Sequence, residues 1–350
     1  MKNLSWFNKL MFFLNIVLII LTFIAYALPF LAPKSFPILS VLTLFMPFFF
    51  IANGLFFVYW LLQFKKRMIL SGLVLLIGIT FINKFYKFSS TDFPVLDKDF
   101  TVMSYNVHLF NVFKWIDRDN VPTEILEFVN EKNPDILCIQ EYSSSANIDF
   151  KVYPHRYIFT DGNNVKTGQA IFSKFPIIDQ GSIVFPNTTN DIIFADIKKG
   201  KDIIRVYNMH LQSLKISPDV SEINENIEVI NQDKSEIMFK RISVAFKQQQ
   251  EQAEKFMEHK NNCEYPIIIC GDMNNSAFSY VYRSIKGKLQ DSFEEAGKGL
   301  GVTYKFKYYP ARIDYIFADD RMKIKKFESF PEFINSDHFP VMARMSFEGE

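Results

Sequence analysis

The run of apolar and polar positions changes character once along the 350-residue chain, near Lys84–Phe93. Before that point apolar residues follow one another almost without interruption. Leu10–Leu31 is long enough to cross about 30 Å of hydrocarbon as a helix. Phe36–Leu62 is a second such run, broken only by Asn53-Gly54. Met68–Ile82 is a third and shorter one, which reaches the interface through Asn83–Tyr86. The pattern predicts three transmembrane helices, at about 10–31, 37–62 and 68–86, within a membrane anchor of residues 1–92. A cleaved signal peptide is not followed by two more runs of this kind. Buried core helices do not come three in succession almost free of charge.

Beyond residue 93 the pattern is that of a strand-rich domain. Phe100–Asn106 alternates and ends on Asn106. Pro122–Asn130 reads as a helix, with proline in its first turn, Glu124 toward its N-terminal dipole and an apolar face of Ile125, Leu126, Phe128 and Val129. Asn133-Pro134-Asp135 stops it. Ile136–Ile139 is a short apolar run buried on both faces that closes on Gln140-Glu141. Tyr157–Thr160 and Gln169–Phe172 pair around the polar turn Asp161–Gly168, and Ser173–Pro176 ends the second. Ile192–Ile197 and Ile203–Asn208 form a hairpin across Lys199-Gly200-Lys201, and its second strand runs into His210. Ser213–Asp233 is polar and irregular, a lid or an insertion.

Lys234–Lys260 is the longest helical pattern, with Ile237, Ile242, Ala245, Ala253, Phe256 and Met257 at helical spacing. Within it Gln248–Gln252 reads as a solvated face and His259 as a surface histidine. Ile267–Cys270 is a β-branched run bounded by Pro266 and Gly271, and Gly271 permits a sharp turn where the strand stops. Arg312–Phe317 alternates, Lys323–Phe327 continues the sheet, and Val341–Phe347 is the last strand. Two sheets packed as a sandwich and covered by helices accommodate this order.

Charge adds an orientation and an exclusion. Residues 1–94 hold eight Lys/Arg and a single acid, Asp92, so the remainder carries 31 basic against 37 acidic residues. An acidic domain lacks the broad basic footprint of nonspecific duplex binding, which disfavours nucleic acid as the substrate. Lys2 and Lys9 flank the first run and Lys65-Lys66-Arg67 lies between the second and third, whereas only Lys34 lies between the first and second. The positive-inside rule puts the N-terminus and the Lys-Lys-Arg loop in the cytoplasm, and after three crossings the domain faces the extracytoplasmic side. The three cysteines have no metal-type spacing and no disulfide framework follows from them.

Candidate chemistry gathers where strands end. Tyr265–Asn275 organises it: Asp272 and Asn274 project from the C-terminal edge of a buried strand, where α/β sheets hold ligands. The same geometry of apolar run then acid recurs at Glu141. Asn106, His210, Asp314, Asp337 and His338 complete a set in which each member taken singly has a cap or turn explanation. His108 is a loop residue close to it. Asp337-His338-Phe339-Pro340, entering a strand, directs one carboxylate and one imidazole toward one cleft.

Six stretches resemble the motifs of the endonuclease/exonuclease/phosphatase superfamily, which includes deoxyribonuclease I, abasic-site endonucleases, neutral sphingomyelinases and inositol polyphosphate phosphatases. They are Ser-Tyr-Asn106, Pro-Asp-Ile-Leu-Cys-Ile-Gln-Glu141, Asn208-Met-His210-Leu, Gly271-Asp272-Met-Asn274, Arg312-Ile-Asp314-Tyr and Ser336-Asp337-His338. Gly168–Phe175 also resembles a structural segment of that family. The resemblance covers about Phe100 to Phe347. It implies an α/β fold, a four-layer sandwich of two packed mixed sheets flanked by helices, here preceded by the three membrane helices, with residues 93–350 as the catalytic domain.

The resemblance also implies roles. Glu141 holds a Mg²⁺ or Mn²⁺ ion, with Asn106 close by and Asp337 completing the site. Asp272 and Asn274 hold the attacking water and the phosphate. Asp314 orients the His338 imidazole, and His210 donates to a nonbridging oxygen or protonates the leaving group. Either Asp272 or His338 is the general base. Abasic-site endonucleases carry tyrosine where this chain has His210, which argues against a DNA-repair role. The expected function is a membrane-anchored, Mg²⁺-dependent phosphoesterase acting by in-line attack of water on a phosphodiester or phosphomonoester, with a lipid headgroup or small phosphodiester as substrate. The alternatives are an endonuclease acting on DNA or RNA, and a non-catalytic module that binds a phosphorylated ligand at the membrane. The partners are the substrate and the bilayer; no protein partner is inferred.

Overall fold

The computed structural model describes residues 4–161, 166–186, 188, 190–214, 232–306 and 309–347. Most of the expected lid, Ser213–Asp233, and part of the turn Asp161–Gly168 lie outside the described residues. The chain divides into two compact units. One comprises Met1–Phe85, Leu214–Gln250 and Ser276–Arg283; the other comprises Tyr86–Ser213, Glu251–Asn275 and Ser284–Glu350.

The first unit contains helices α1 (Trp6–Ala27), α2 (Met46–Leu62) and α3 (Met68–Phe85). With their short helical extensions they give the segments Trp6–Phe30, Pro37–Leu62 and Met68–Phe85, each long and apolar enough to cross a membrane. Polar side chains face inward and pair between helices. Asn15 Nδ2 donates to Ser71 Oγ at 2.8 Å and Asn15 Oδ1 accepts from Trp60 Nε1 at 3.0 Å. Asn53 Nδ2 donates to Thr22 Oγ1 at 2.9 Å. In hydrocarbon such bonds fix which helix faces meet, because lipid competes with apolar packing but not with a hydrogen bond. Asn8, near the start of α1, bonds to Tyr59 and Gln63 at the end of α2, so these two helices run antiparallel.

The second unit is a sandwich. Its first sheet has the order β11-β12-β1-β2-β4-β3 and its second β5-β6-β7-β8-β10-β9. The strands of the first are β1 (Phe100–Asn106), β2 (Ile136–Ser143), β3 (His155–Asp161), β4 (Thr167–Ser173), β11 (Met322–Ser329) and β12 (Val341–Phe347). Those of the second are β5 (Ile177–Val184), β6 (Asp191–Lys199), β7 (Asp202–His210), β8 (Ile267–Asp272), β9 (Gln290–Asp291) and β10 (Asp314–Ala318). Each sheet is antiparallel except for one parallel pair near its centre, β1–β2 and β7–β8. Val102, Ile136, Cys138 and Ile171 from one sheet and Ile193, Val206, Ile268, Cys270 and Ile316 from the other form one buried core. Removing this apolar area from water is what joins the layers. Helix α4 (Val121–Lys132) covers the outer face of the first sheet through Val121, Ile125 and Val129, and ends on Asn133 in the left-handed conformation. Helix α5 (Gln232–Asn261) connects β7 to β8, and its second half packs Phe256 against Tyr207. The fold is the expected one: two six-stranded mixed sheets flanked by helices, with three apolar helices ahead of them.

Four local expectations are corrected. Arg312–Phe317 does not alternate: the strand is Asp314–Ala318, buried throughout, and Arg312 precedes it with its guanidinium on Asp291 at 2.8 Å. Lys323–Phe327 does not continue that strand's sheet but pairs with β12 in the other one, since the chain changes layers between Ala318 and Met322. Gln248–Gln252 is not a solvated face. Gln249, Gln250 and Gln252 are buried, and the last two accept backbone N–H bonds from Lys34 and Gln212 at 2.8 Å. His259 is half-buried, its Nδ1 lying 2.9 Å from the Tyr207 hydroxyl. Strand β5 was not anticipated, because as an edge strand it leaves Ile178 and Val184 half exposed and shows no clean alternation.

Candidate active site

Both parallel pairs end at the same side of the sandwich, and that shared edge collects the polar residues. In register, Asn106 lies beside Gln140 and His210 beside Asp272. Strand β10 runs antiparallel to β8 and begins with Asp314 opposite Asp272. The turn before β12 carries Ser336, Asp337 and His338. Its Ser336 Oγ donates to the Asn106 carbonyl at 2.9 Å and accepts from the His338 N–H at 3.1 Å. Five strand ends and one turn, separated by up to 232 positions, thus meet.

Two backbone features aim the carboxylates. Glu141 sits at an irregularity in the β2–β4 ladder with φ 50°, which redirects its side chain from the sheet face to the edge. Gly271 has φ 138°, and a Cβ there would stand 2.0 Å from the Met209 carbonyl oxygen, so the close approach of β7 and β8 requires glycine. Asn274 also adopts a positive φ, 49°, and its N–H donates to Asp272 Oδ1 at 2.7 Å.

Asp272 is the hub. It is 1% exposed, and its Oδ2 accepts from Asn106 Nδ2 at 3.1 Å and Asn274 Nδ2 at 3.2 Å. The same oxygen lies 3.7 Å from His210 Nε2 and 3.5 Å from His338 Nε2. Asn106 Nδ2 also reaches Glu141 Oε1 at 3.2 Å, and His210 Nε2 is 3.7 Å from that oxygen. On its other side the His338 ring presents Nδ1 to both oxygens of Asp314, at 3.0 and 3.1 Å. Asp337, more exposed, has its Oδ1 3.2 Å from His108 Nδ1, and the His108 ring stacks on Trp115 at 3.8 Å.

Burial and charge set these groups apart. Burial drives the Asp272 carboxyl upward, against the pull of the His338 imidazole and the bonds from Asn274 and Asn106. Burial alone would depress His338, but the Asp314 and Asp272 carboxylates outweigh it and hold the ring well above the ordinary histidine range. His210 is shifted the other way: burial lowers it, opposed mainly by Glu141. Burial and charge thus push the two imidazoles of one edge in opposite directions, the kind of divergence from which acid–base chemistry is built.

All eight residues singled out from sequence lie at this edge; bonds or short contacts join seven of them directly, and Asp337 is tied to them through Ser336, whose Oγ lies 3.2 Å from its Oδ1. Several residues given no role from sequence support it. Gln140 Nε2 donates to Asn208 Oδ1 at 2.6 Å, and Asn208 Nδ2 returns bonds to the Ile139 and Ala170 carbonyls, which clamps the two sheets one layer beneath the site. Both sit inside recognised motifs, beside Glu141 and His210, and that adjacency was the available signal. Thr303 Oγ1 accepts from the N–H groups of Ile313 and Asp314, and the Tyr304 ring lies 4.8 Å from the His338 ring. His108–Asn111 form a run of four non-glycine residues at φ 46–61°, which no local sequence pattern announces.

Oxygen-rich donors grouped at a partly exposed edge suit a hard divalent cation. Among the described residues Asp272, Asp314 and His338 offer ligand atoms within 4.8 Å of one another and could bind a metal ion. Glu141 and Asp337, the carboxylates expected from sequence to be ligands, stand outside that trio.

Comparison with known proteins agrees with this geometry. The family described as endonuclease/exonuclease/phosphatase matches residues 103–338, and the chain belongs to that family. Its members are phosphoester hydrolases and nucleases that typically use a divalent metal. Residues 8–85 match a domain of unknown function, DUF8431. No curated protein matches the chain. Among solved structures, the endonuclease/exonuclease/phosphatase from Beutenbergia cavernae superposes with a TM-score of 0.52 at 15% identity, over 72% of each chain. The human Nocturnin catalytic domain with bound sulfate gives 0.53 at 17% identity, over 73% of this chain and 97% of that one. A mannosyl-6-phosphatase from Bacteroides thetaiotaomicron gives 0.50 at 19% identity, over 71% and 100%. At these identities the likeness is one of fold.

Proposed function

We propose that this protein is a membrane-anchored, metal-dependent phosphoesterase whose catalytic part is carried by residues 93–350. The observation that carries the reading is the Asp272 carboxylate, held by Asn106 and Asn274 between the His210 and His338 rings at 3.7 and 3.5 Å. Glu141, with Asn106 and Asp337 nearby, is assigned the Mg²⁺ or Mn²⁺ ion. The Asp272–His338–Asp314 row balances much of its own charge, so a cation gains more beside the half-exposed Glu141 carboxylate. When bound, the ion supplies positive charge that lowers the repulsion between a phosphate ester and an incoming water.

The chain's own groups then divide the work. Asp272 orients the attacking water and accepts its proton, and Asn274 holds the carboxylate in place through both its N–H and its amide. His338, kept charged by Asp314, donates toward a phosphoryl oxygen. His210, neutral and donating from Nε2, faces the same space and serves the leaving group or a nonbridging oxygen. Positioned acid–base groups of this kind contribute about 10²–10⁴ in rate.

A phosphoester of a membrane lipid headgroup is the favoured substrate. The chain itself carries three helices long and apolar enough to hold it at a bilayer, where lipid headgroups are the abundant phosphoesters. The acidic charge of residues 95–350 disfavours a polynucleotide. With three crossings and basic residues at Lys65-Lys66-Arg67, the catalytic part faces the extracytoplasmic side. The test is the full-length protein in phospholipid nanodiscs with Mg²⁺, assayed for release of water-soluble phosphate or headgroup phosphate and, in parallel, for nicking of plasmid. Headgroup release abolished by Asp272→Asn supports the proposal; nicking with intact lipid transfers it to the nuclease reading; neither activity on any phosphoester favours a binding module.

A further inference from the structure

The first half of α5 belongs to the same unit as the three apolar helices. There Ile242, Ala245 and Phe246 pack on Val41, Leu44 and Leu214. At 100° per residue, Met238 and Phe239 continue that apolar stripe by one further turn toward the helix N-terminus. They are nonetheless 40% and 45% exposed. Lys240 and Lys247 fall on the opposite face, and both are exposed. A helix in water ends its apolar stripe where its protein partner ends; this one does not.

What lies along the continuation is set by the partner residues. Val41 and Leu44 belong to the helical turns that open the segment Pro37–Leu62, where the chain passes from the interface into the apolar span. We infer that residues 238–246 are a fourth membrane-contacting element, lying at the interface rather than crossing it. Met238 and Phe239 enter the lipid at the headgroup–acyl boundary, and Lys240 and Lys247 remain in water. Amphipathic helices bind bilayers in this manner, their apolar side chains sunk a few ångströms and their lysines outward. The inference rests on the reading of the three long apolar helices as membrane spans.

The test uses the full-length chain with Cys263→Ser, placed in nanodiscs of phosphatidylcholine with phosphatidylglycerol. An environment-sensitive fluorophore is attached at Phe239→Cys, with Met238→Cys as a second position in the stripe, Lys240→Cys as the opposite face and Leu55→Cys within the second span. Quenching of labels 238 and 239 by acyl-brominated lipid, with label 240 quenched by aqueous iodide instead, supports the inference. Iodide quenching at 239 with lipid quenching at 55 overturns it while leaving the spans intact. Protection of 239 from both quenchers assigns the stripe to a protein contact and overturns it equally. Absence of lipid quenching at 55 removes the membrane reading itself, and the inference with it.

Discussion

Replacing Asp314 by asparagine removes one charge from the row that joins Asp272, His338 and Asp314 while keeping its shape. Asp314 is 2% exposed and stands 3.0 Å from His338 Nδ1. At an effective dielectric of about 20, opposite charges at this separation attract by about 5 kcal/mol. Part of that offsets the cost of burying the imidazolium, so the pair adds little net stability, yet leaving one partner behind costs about 3–5 kcal/mol. The variant relieves that cost by releasing the ring proton. The raised His338 value stabilises the fold fully below its ordinary value of 6.5, and this contribution is lost as pH rises through the elevated folded value. Asp314→Asn is therefore least stable relative to the parent at neutral and acid pH, and the two converge in alkali. Its kcat falls by about 10²–10⁴, because a neutral His338 no longer brings a positive charge and a readily transferred proton to the phosphoryl group. Thermal unfolding between pH 5 and pH 10, alongside initial rates of phosphate release, measures both. A variant with parental rate and an unchanged pH profile, in a preparation where Asp272→Asn is inactive, would remove His338 and Asp314 from the mechanism.

Three further outcomes are expected. Chelation with EDTA silences the enzyme and Mg²⁺ restores it, whereas Glu141→Gln folds normally but needs far more Mg²⁺ for the same rate; turnover in chelator refutes the metal requirement. Gly271→Ala forces a Cβ to 2.0 Å from the Met209 carbonyl at φ 138° and destabilises by about 3 kcal/mol or more, lowering Tm by about 6–12 °C, and an unchanged Tm contradicts the close approach of β7 and β8. Burial raises Asp191 from 3.8 to about 6 beside Gln169, so the native state holds this proton more tightly than the unfolded chain. Stability falls by about 3 kcal/mol as pH rises through that range, and Asp191→Asn abolishes the slope, which denaturant titrations at pH 4 and pH 7 detect.

The sequence by itself determined the elements whose evidence is local. Three charge-poor runs mark apolar helices long enough to cross a membrane, and short β-branched runs ending in Asn106, Glu141, His210 or Asp272 mark strands whose polar ends lie at an edge. Those signals survive because period and strand termination depend on neighbouring residues only. Tertiary structure alone decided that Asn106, from one sheet, bonds Asp272, from the other, and that the Lys323–Phe327 strand joins the first sheet rather than the second. Strand partnership is fixed by residues far away in the chain, and one sequence pattern fits either layer. It also decided the fate of α5. Glutamines 249, 250 and 252 are buried because backbone N–H groups of Lys34 and Gln212 satisfy two of them, while apolar Met238 and Phe239 stay uncovered among the described residues. Whether a side chain is buried depends on what stands opposite it, and periodicity along a helix does not carry that information.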